Sequence, residues 1–292
     1  MDIIIISILC LLATAKVTLQ GGFAKKNIRS FSDGVFFNGA IFFFSSLVFL
    51  KDALTFNLPT FLFGAAFGIL GLIFQLCYIK AMSFGNVSLT VLIVNLSMII
   101  PIATSVLCFG EIEKLGVLRI IGILLTVVAL VLNVSKGGKS TDFKKWLFLS
   151  LAASLANGGL AIILQLFGKS EWSDQNKAFV AWNYIVAAIV SFILYGILKL
   201  RGNGITFKLK PSVFGIALCV GIILGVFQAL NAYAVSTIDG TLFFPTYNGG
   251  ALVLSGIAGV LLLKDKFKLN QFISLLVGIV ARLYSRWKRI YR

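Results

Sequence analysis

Histidine is absent from the 292-residue sequence, and acidic residues number only ten against 26 lysines and arginines. Without an imidazole there is no Ser-His-Asp relay, no histidine-containing zinc set and no histidine proton relay through a membrane. The four cysteines, Cys10, Cys77, Cys108 and Cys219, stand singly in apolar stretches with no ligand-like spacing, and they read as packing residues. No glycine-rich phosphate loop accompanies them. Charged residues make up 12% of the chain, against roughly 25% in a soluble domain. These absences argue against an enzyme, and neither a cofactor nor a metal is expected.

What the chain has in abundance is long hydrophobic runs. Apolar residues are 59% of the total and the mean hydropathy is +1.01. A helix crossing a bilayer needs about 20 mostly apolar residues. Ten such runs are present: 3–23, 35–50, 61–79, 87–109, 115–134, 146–167, 178–198, 213–235, 242–263 and 269–284. All ten acidic residues lie outside these runs, and of the 26 basic ones only Lys16, Arg119 and Arg282 lie inside. Runs that are apolar on every face do not suit barrel strands, which alternate, so helices must satisfy the backbone. The expected fold is an all-α membrane protein of ten transmembrane helices, multi-pass in the plasma membrane.

The first run lacks the basic leader and small-residue cleavage site of a signal peptide, and is expected to stay as the first helix. The net charge of +16 sits in short connections and in the segment 282–292, where it meets anionic lipid headgroups; nucleic-acid binding has no support. Most loop lysines and arginines follow odd-numbered runs, which favours those loops in the cytoplasm and an external amino terminus.

The most polar internal stretch, 135–145 (SKGGKSTDFKK), reads as a linker between two five-helix halves, 1–134 and 146–292. Internal similarity supports that division. At a constant offset of 153, Gln75, Tyr78, Ala81, Ser83 and Asn86 match Gln228, Asn231, Ala234, Ser236 and Asp239. At 154, Val106, Leu107, Glu111, Lys114 and Leu115 match Val260, Leu261, Asp265, Lys268 and Leu269. Five being odd, the second half enters the membrane from the opposite side, which makes the two repeats inverted. Such halves allow alternating access around a midplane site.

Over essentially its whole length the chain resembles the drug/metabolite transporter superfamily, and within it the EamA-like group. The features that carry this are the five-plus-five count, the small-residue register of 81–88, Pro101, and the Gly110-Glu111 turn before a helix containing Gly122. Asp265 and Ser255 depart from the group's glutamate and second proline. The resemblance implies a central cavity lined by helices one, three, four, six, eight and nine, with five and ten peripheral. It also implies both termini in the cytoplasm, against the charge distribution, and orientation stays open.

Several residues are candidates to contact a small-molecule solute. Lys16 places a charge inside a run at a cost of roughly 2.5–3.5 kcal/mol, so it either snorkels to the interface or faces a cavity. Gln20 lies one turn on and matches Gln165 at an offset of 145, which puts Lys16 opposite Ala161. Gln75 with Tyr78, and Gln228 with Asn231, present amides on one face of two repeat-related helices. Asn95, Tyr247 and Asn248 are further contacts.

Pro101, Pro245, Gly249 and Gly250 are hinge candidates, and a break in the ninth helix is expected across 245–250. Trp182, Asn183 and Tyr184 read as an interfacial belt ahead of a cage, Asn157-Gly158-Gly159 as a packing surface first and a cavity second, and Glu111 and Asp265 as helix caps. The expected function is secondary transport of a zwitterionic or anionic metabolite, such as an amino acid or carboxylate. A flippase of a lipid-linked sugar or other amphiphile, and a membrane scaffold without transport, are the alternatives. With no carboxylate inside a run, proton-coupled export of organic cations is not expected.

Overall fold

The computed structural model describes residues 2–54, 56–85, 87–110, 143–238 and 240–263, and every regular element among them is helical. In chain order they are α1 (Asp2–Asn27), α2 (Phe31–Val48), α3 (Leu58–Phe84), α4 (Val87–Asn95), α5 (Ile99–Phe109), α6 (Phe143–Gly168), α7 (Asn176–Leu200), α8 (Pro211–Thr237) and α9 (Gly240–Leu263). A single 3-10 turn, Leu96–Met98, joins α4 to α5. The fifth and tenth runs, most of the polar linker, and Asn86, Glu111, Lys114, Asp239, Asp265 and Lys268 lie outside the described residues.

Seven stretches are long and apolar enough to cross a membrane: Ile3–Asn27, Phe31–Val48, Leu58–Phe84, Leu89–Cys108, Phe143–Gly168, Ser173–Leu200 and Pro211–Thr237. Their surroundings fit that reading. Ile4, Leu11, Leu62, Phe148, Leu155 and Ile193 point outward and exposed, while Gln20, Asn38, Gln75, Gln165, Asn183 and Gln228 are buried inside. Apolar outside and amide inside is the arrangement lipid demands and water would not stabilise. The chain is a multi-pass all-α membrane protein.

Helix ends follow local chemistry. Ser30 and Asp33 form a capping box at the start of α2, with Ser30 Oγ accepting from the Asp33 amide at 3.1 Å and Asp33 Oδ2 accepting from the Ser30 amide at 2.7 Å. Pro211 opens α8 where a missing N–H costs nothing. After α7, Gly202 at φ +80° lets its amide and that of Asn203 turn back onto the carbonyls of Lys199 and Leu198.

Two boundaries differ from the sequence reading. Asp33, placed outside the second run, belongs to α2 and is fully buried, because its carboxylate is consumed by the cap and by a loop described below. Helix α6 begins at Phe143, inside the stretch read as linker. Trp146 is buried and donates to Thr90 Oγ1 at 2.9 Å, and this anchor carries Lys144 and Lys145 into the helix on its exposed side.

The packing is selective. Helix α1 contacts α3, α8 and α9; α6 contacts α8, α3, α4 and α5. Helix α2 contacts α3, α7 and α8; α7 contacts α8, α2 and α3. Two glycines set the closest approaches to the backbone of a neighbouring helix. A Cβ on Gly68 would collide with the carbonyl oxygen of Asn183 on α7, and one on Gly221 would stand 2.8 Å from the carbonyl oxygen of Ile41 on α2. Gly68→Ala and Gly221→Ala should therefore each cost about 1–3 kcal/mol through overpacking. Gly196→Ala, with nothing near the new methyl, should leave stability unchanged or slightly raised. Thermal unfolding of the purified protein in detergent measures all three.

Candidate functional site: a central cavity of donors

A cavity of about 140 Å³ lies among the helices, walled by residues from α1 to α9. Lys16 lies fourteen residues after Asp2 and eleven before Asn27, near mid-helix, and lines this cavity. It does not snorkel: it is 8% exposed and its ammonium sits 5.3 Å from the centroid of the Phe227 ring. A desolvated cation over an aromatic face gains roughly 2 kcal/mol. Among the described residues the ammonium has no hydrogen-bonded or ion-paired partner.

Gln75, Tyr78, Asn95, Gln228, Asn231, Tyr247 and Asn248 line the same cavity, as does Pro101. Gln75 and Gln228 thus meet in one chamber. Asn248 is partly spent, its Nδ2 donating to the Phe244 carbonyl at 2.8 Å. Three other amide nitrogens bordering the cavity are buried without an acceptor: Asn95 Nδ2, Asn183 Nδ2 and Gln228 Nε2. With Lys16 they give the wall four groups whose hydrogens are not used among the described residues. Aromatic rings fill much of the remaining wall, including Phe74 stacked on Tyr78 at 5.2 Å and Phe227 tilted against Tyr247 at 5.9 Å.

Gln20 and Gln165 do not line the cavity. Gln20 is fully buried and its Nε2 approaches Gln75 Oε1 at 3.5 Å, so it orients the neighbouring amide from behind. Gln165 Nε2 donates to the Pro101 carbonyl at 3.1 Å and to Ser105 Oγ at 2.6 Å, bracing α5 against α6. Both are side-chain supports between helices, standing behind the wall and bonded to residues in or next to it.

The expected break in the ninth helix is absent. Helix α9 is continuous from Gly240 to Leu263, through Pro245, Gly249 and Gly250. Pro245 lies in the second turn, where its missing N–H forfeits a single bond to the carbonyl of Thr241, and packing along α1 outweighs two glycines at about 1 kcal/mol each. The irregularity falls in the fourth run. There Pro101 cannot bond the carbonyl of Ser97, and the backbone tightens into the 3-10 turn Leu96–Met98 beside Asn95.

Sequence reasoning missed Asn183 and Tyr184, which are buried in the cavity wall instead of an interfacial belt. Tyr184 donates to the Leu224 carbonyl at 3.0 Å, and only Trp182 behaves as peripheral, edge-on to Phe61 at 5.1 Å. For Asn157 the second of the two readings holds: it lines the cavity and donates to Ser97 Oγ at 2.7 Å. The signal was the residues' helical phase against Tyr184 and Gln165, which a single run of mixed polar residues does not reveal.

No known protein-family model matches the sequence, and no curated protein does. The fold is similar to a solved crystal structure, with a TM-score of 0.66 over 94% of both chains at 14% sequence identity, which is a likeness of fold alone.

Proposed function

We propose that the chain is a secondary transporter of two inverted five-helix halves, ten spans in all, akin to the drug/metabolite transporter superfamily, moving a small zwitterionic or anionic metabolite by alternating access. The observation that carries this is a cavity lined by the mid-helix Lys16 ammonium and by Asn95, Asn183 and Gln228, whose amide nitrogens lack an acceptor, with no carboxylate on its wall among the described residues. Donors left bare cost free energy, and a carboxylate-bearing solute supplies the acceptors.

Helix neighbours support the two-halves part of the proposal. Advancing each helix of the first half by one repeat turns α1 on α9 into α6 on α4, α3 on α6 into α8 on α1, and α2 on α8 into α7 on α3, and each of these contacts occurs. Residues follow suit. Gly68 meets Asn183 and Ala187 of α7, and Gly221, 153 positions on, meets Ile41 and Ser45 of α2, themselves 142 positions before those two residues. Phe42 and Tyr184 share that offset of 142, and their rings face each other at 6.0 Å in the cavity wall. Two halves related in this way can exchange conformations, which is the basis of alternating access.

The test is accumulation from a defined mixture of amino acids and carboxylates by proteoliposomes, read by mass spectrometry of the vesicle contents. One solute, or a small related group, should accumulate only with protein present. Accumulation of none, with protein shown to be folded, would overturn the proposal.

A further inference from the structure

A second pocket, of about 420 Å³, shares no lining residue with the central cavity. It opens where α1 ends and α8 begins, and its wall carries four cations, Lys26, Arg29, Lys208 and Lys210, with Asn27, Thr206 and Ser212. No carboxylate lines it among the described residues. Phe23, Phe207, Val213 and Ile216 form an apolar floor.

The pocket is built, not incidental. Asp33, buried at the start of α2, accepts from the Thr206 amide at 2.6 Å through Oδ1. Through Oδ2 it accepts from the Thr206 hydroxyl at 2.8 Å and from the amides of Ser30 and Arg29 at 2.7 and 2.9 Å. The nearest carboxylate is thereby spent as a clamp that pins the loop between α7 and α8 onto the turn between α1 and α2. A second pin is Phe207, edge-on to Phe23 at 5.6 Å, with Phe23 itself stacked on Phe37 at 3.9 Å. Ser32 Oγ adds a third, donating to the Asn203 carbonyl at 2.5 Å. Together they hold like charges side by side, a repulsive arrangement that an anion relieves.

We propose that this pocket binds the phosphate of an anionic membrane lipid, its cations and the Ser212 hydroxyl holding the headgroup and its apolar floor the start of the acyl chains. Arginine with several lysines and a hydroxyl is the chemistry of phosphate recognition. A soluble phosphate would satisfy the rim equally. The floor of two phenylalanines and two aliphatic residues, at the end of the hydrophobic lengths of α1 and α8, favours a lipid.

Full-length protein in a neutral detergent would be titrated with phosphatidylglycerol, phosphatidylcholine or inorganic phosphate, and bound lipid counted by native mass spectrometry beside thermal unfolding. The comparison variant is Arg29→Gln/Lys208→Gln. Its backbone contacts at Arg29 are untouched, so the clamp persists; Lys51→Gln, outside the pocket, is the control. Phosphatidylglycerol should bind the parent and Lys51→Gln at least about tenfold more tightly than phosphatidylcholine, with that preference lost in the double variant. Equal retention by parent and double variant would overturn the site. Protection by inorganic phosphate but not by phosphatidylglycerol, lost in the double variant, would keep the phosphate chemistry and overturn the lipid as its source.

Discussion

Lys16→Met will lower accumulation of the solute roughly 10- to 100-fold while leaving the bundle folded. Methionine keeps most of the lysine stem, so the packing against Phe227 and the neighbouring wall survives, and what is removed is the charge. A charge-assisted hydrogen bond to the solute contributes roughly 1.5–3 kcal/mol, so affinity should fall roughly 10- to 100-fold. Stability should hold or rise, because a charge at mid-helix costs roughly 2.5–3.5 kcal/mol on insertion and Phe227 offsets only part of that. Lys16→Arg keeps the charge but presents a planar fork in place of a compact ammonium, and partial activity is expected. Solute affinity and initial uptake rate in folded Lys16→Met, beside the parent, decide the matter. Undiminished binding and transport would remove Lys16 from the site and with it the main reason for an anionic solute.

How much of this was legible in the residues depends on what kind of information each feature required. Membrane class and helix positions follow from the free energy of moving side chains into lipid, a property of composition over about 20 residues, and the described helices sit close to the expected runs. The meeting of Gln75 and Gln228 was foreshadowed because a constant offset carries geometric information that one helix alone does not.

Rotational phase was harder to read. A buried amide is equally well satisfied by a cavity or by a neighbouring helix, and nothing local distinguishes Gln228, bare in the wall, from Gln165, bonded to Pro101 and Ser105 one layer behind it. Asn183 was obscured by its neighbour Trp182, since an aromatic next to polar residues is also what an interface looks like. Helix α9 stayed whole because tertiary packing outweighs propensity, and the competing strength of that packing is not written in the segment itself. Asp33 escaped notice because its partner, Thr206, lies 173 residues away.

Relocating the charge provides the strongest test of the proposed symmetry. Lys16 and Ala161 both line the cavity and would be equivalent under the proposed repeat at an offset of 145, and Phe227, beside Lys16, would likewise be equivalent to Phe74, which lines the cavity as well. The frame is thus paired but its chemistry is one-sided: an ammonium at one position and a methyl at the other. Lys16→Ala alone should lower uptake roughly 10- to 100-fold, the contribution of the lost charge-assisted bond. Adding Ala161→Lys should return uptake to within about threefold of the parent, since the new ammonium enters the same chamber and the amide nitrogens of Asn95, Asn183 and Gln228 remain to hold the rest of the solute. An axis in the membrane plane carries one position toward the opposite face, so the relocated charge should also exchange which side of an oriented vesicle shows the tighter apparent affinity. Uptake and sidedness measured on the parent, the single variant and the double variant give a three-way comparison. A folded double variant no more active than Lys16→Ala would show that the two positions are not functionally equivalent, and would sink the inverted-repeat account of the site whatever the outcome at Lys16 alone.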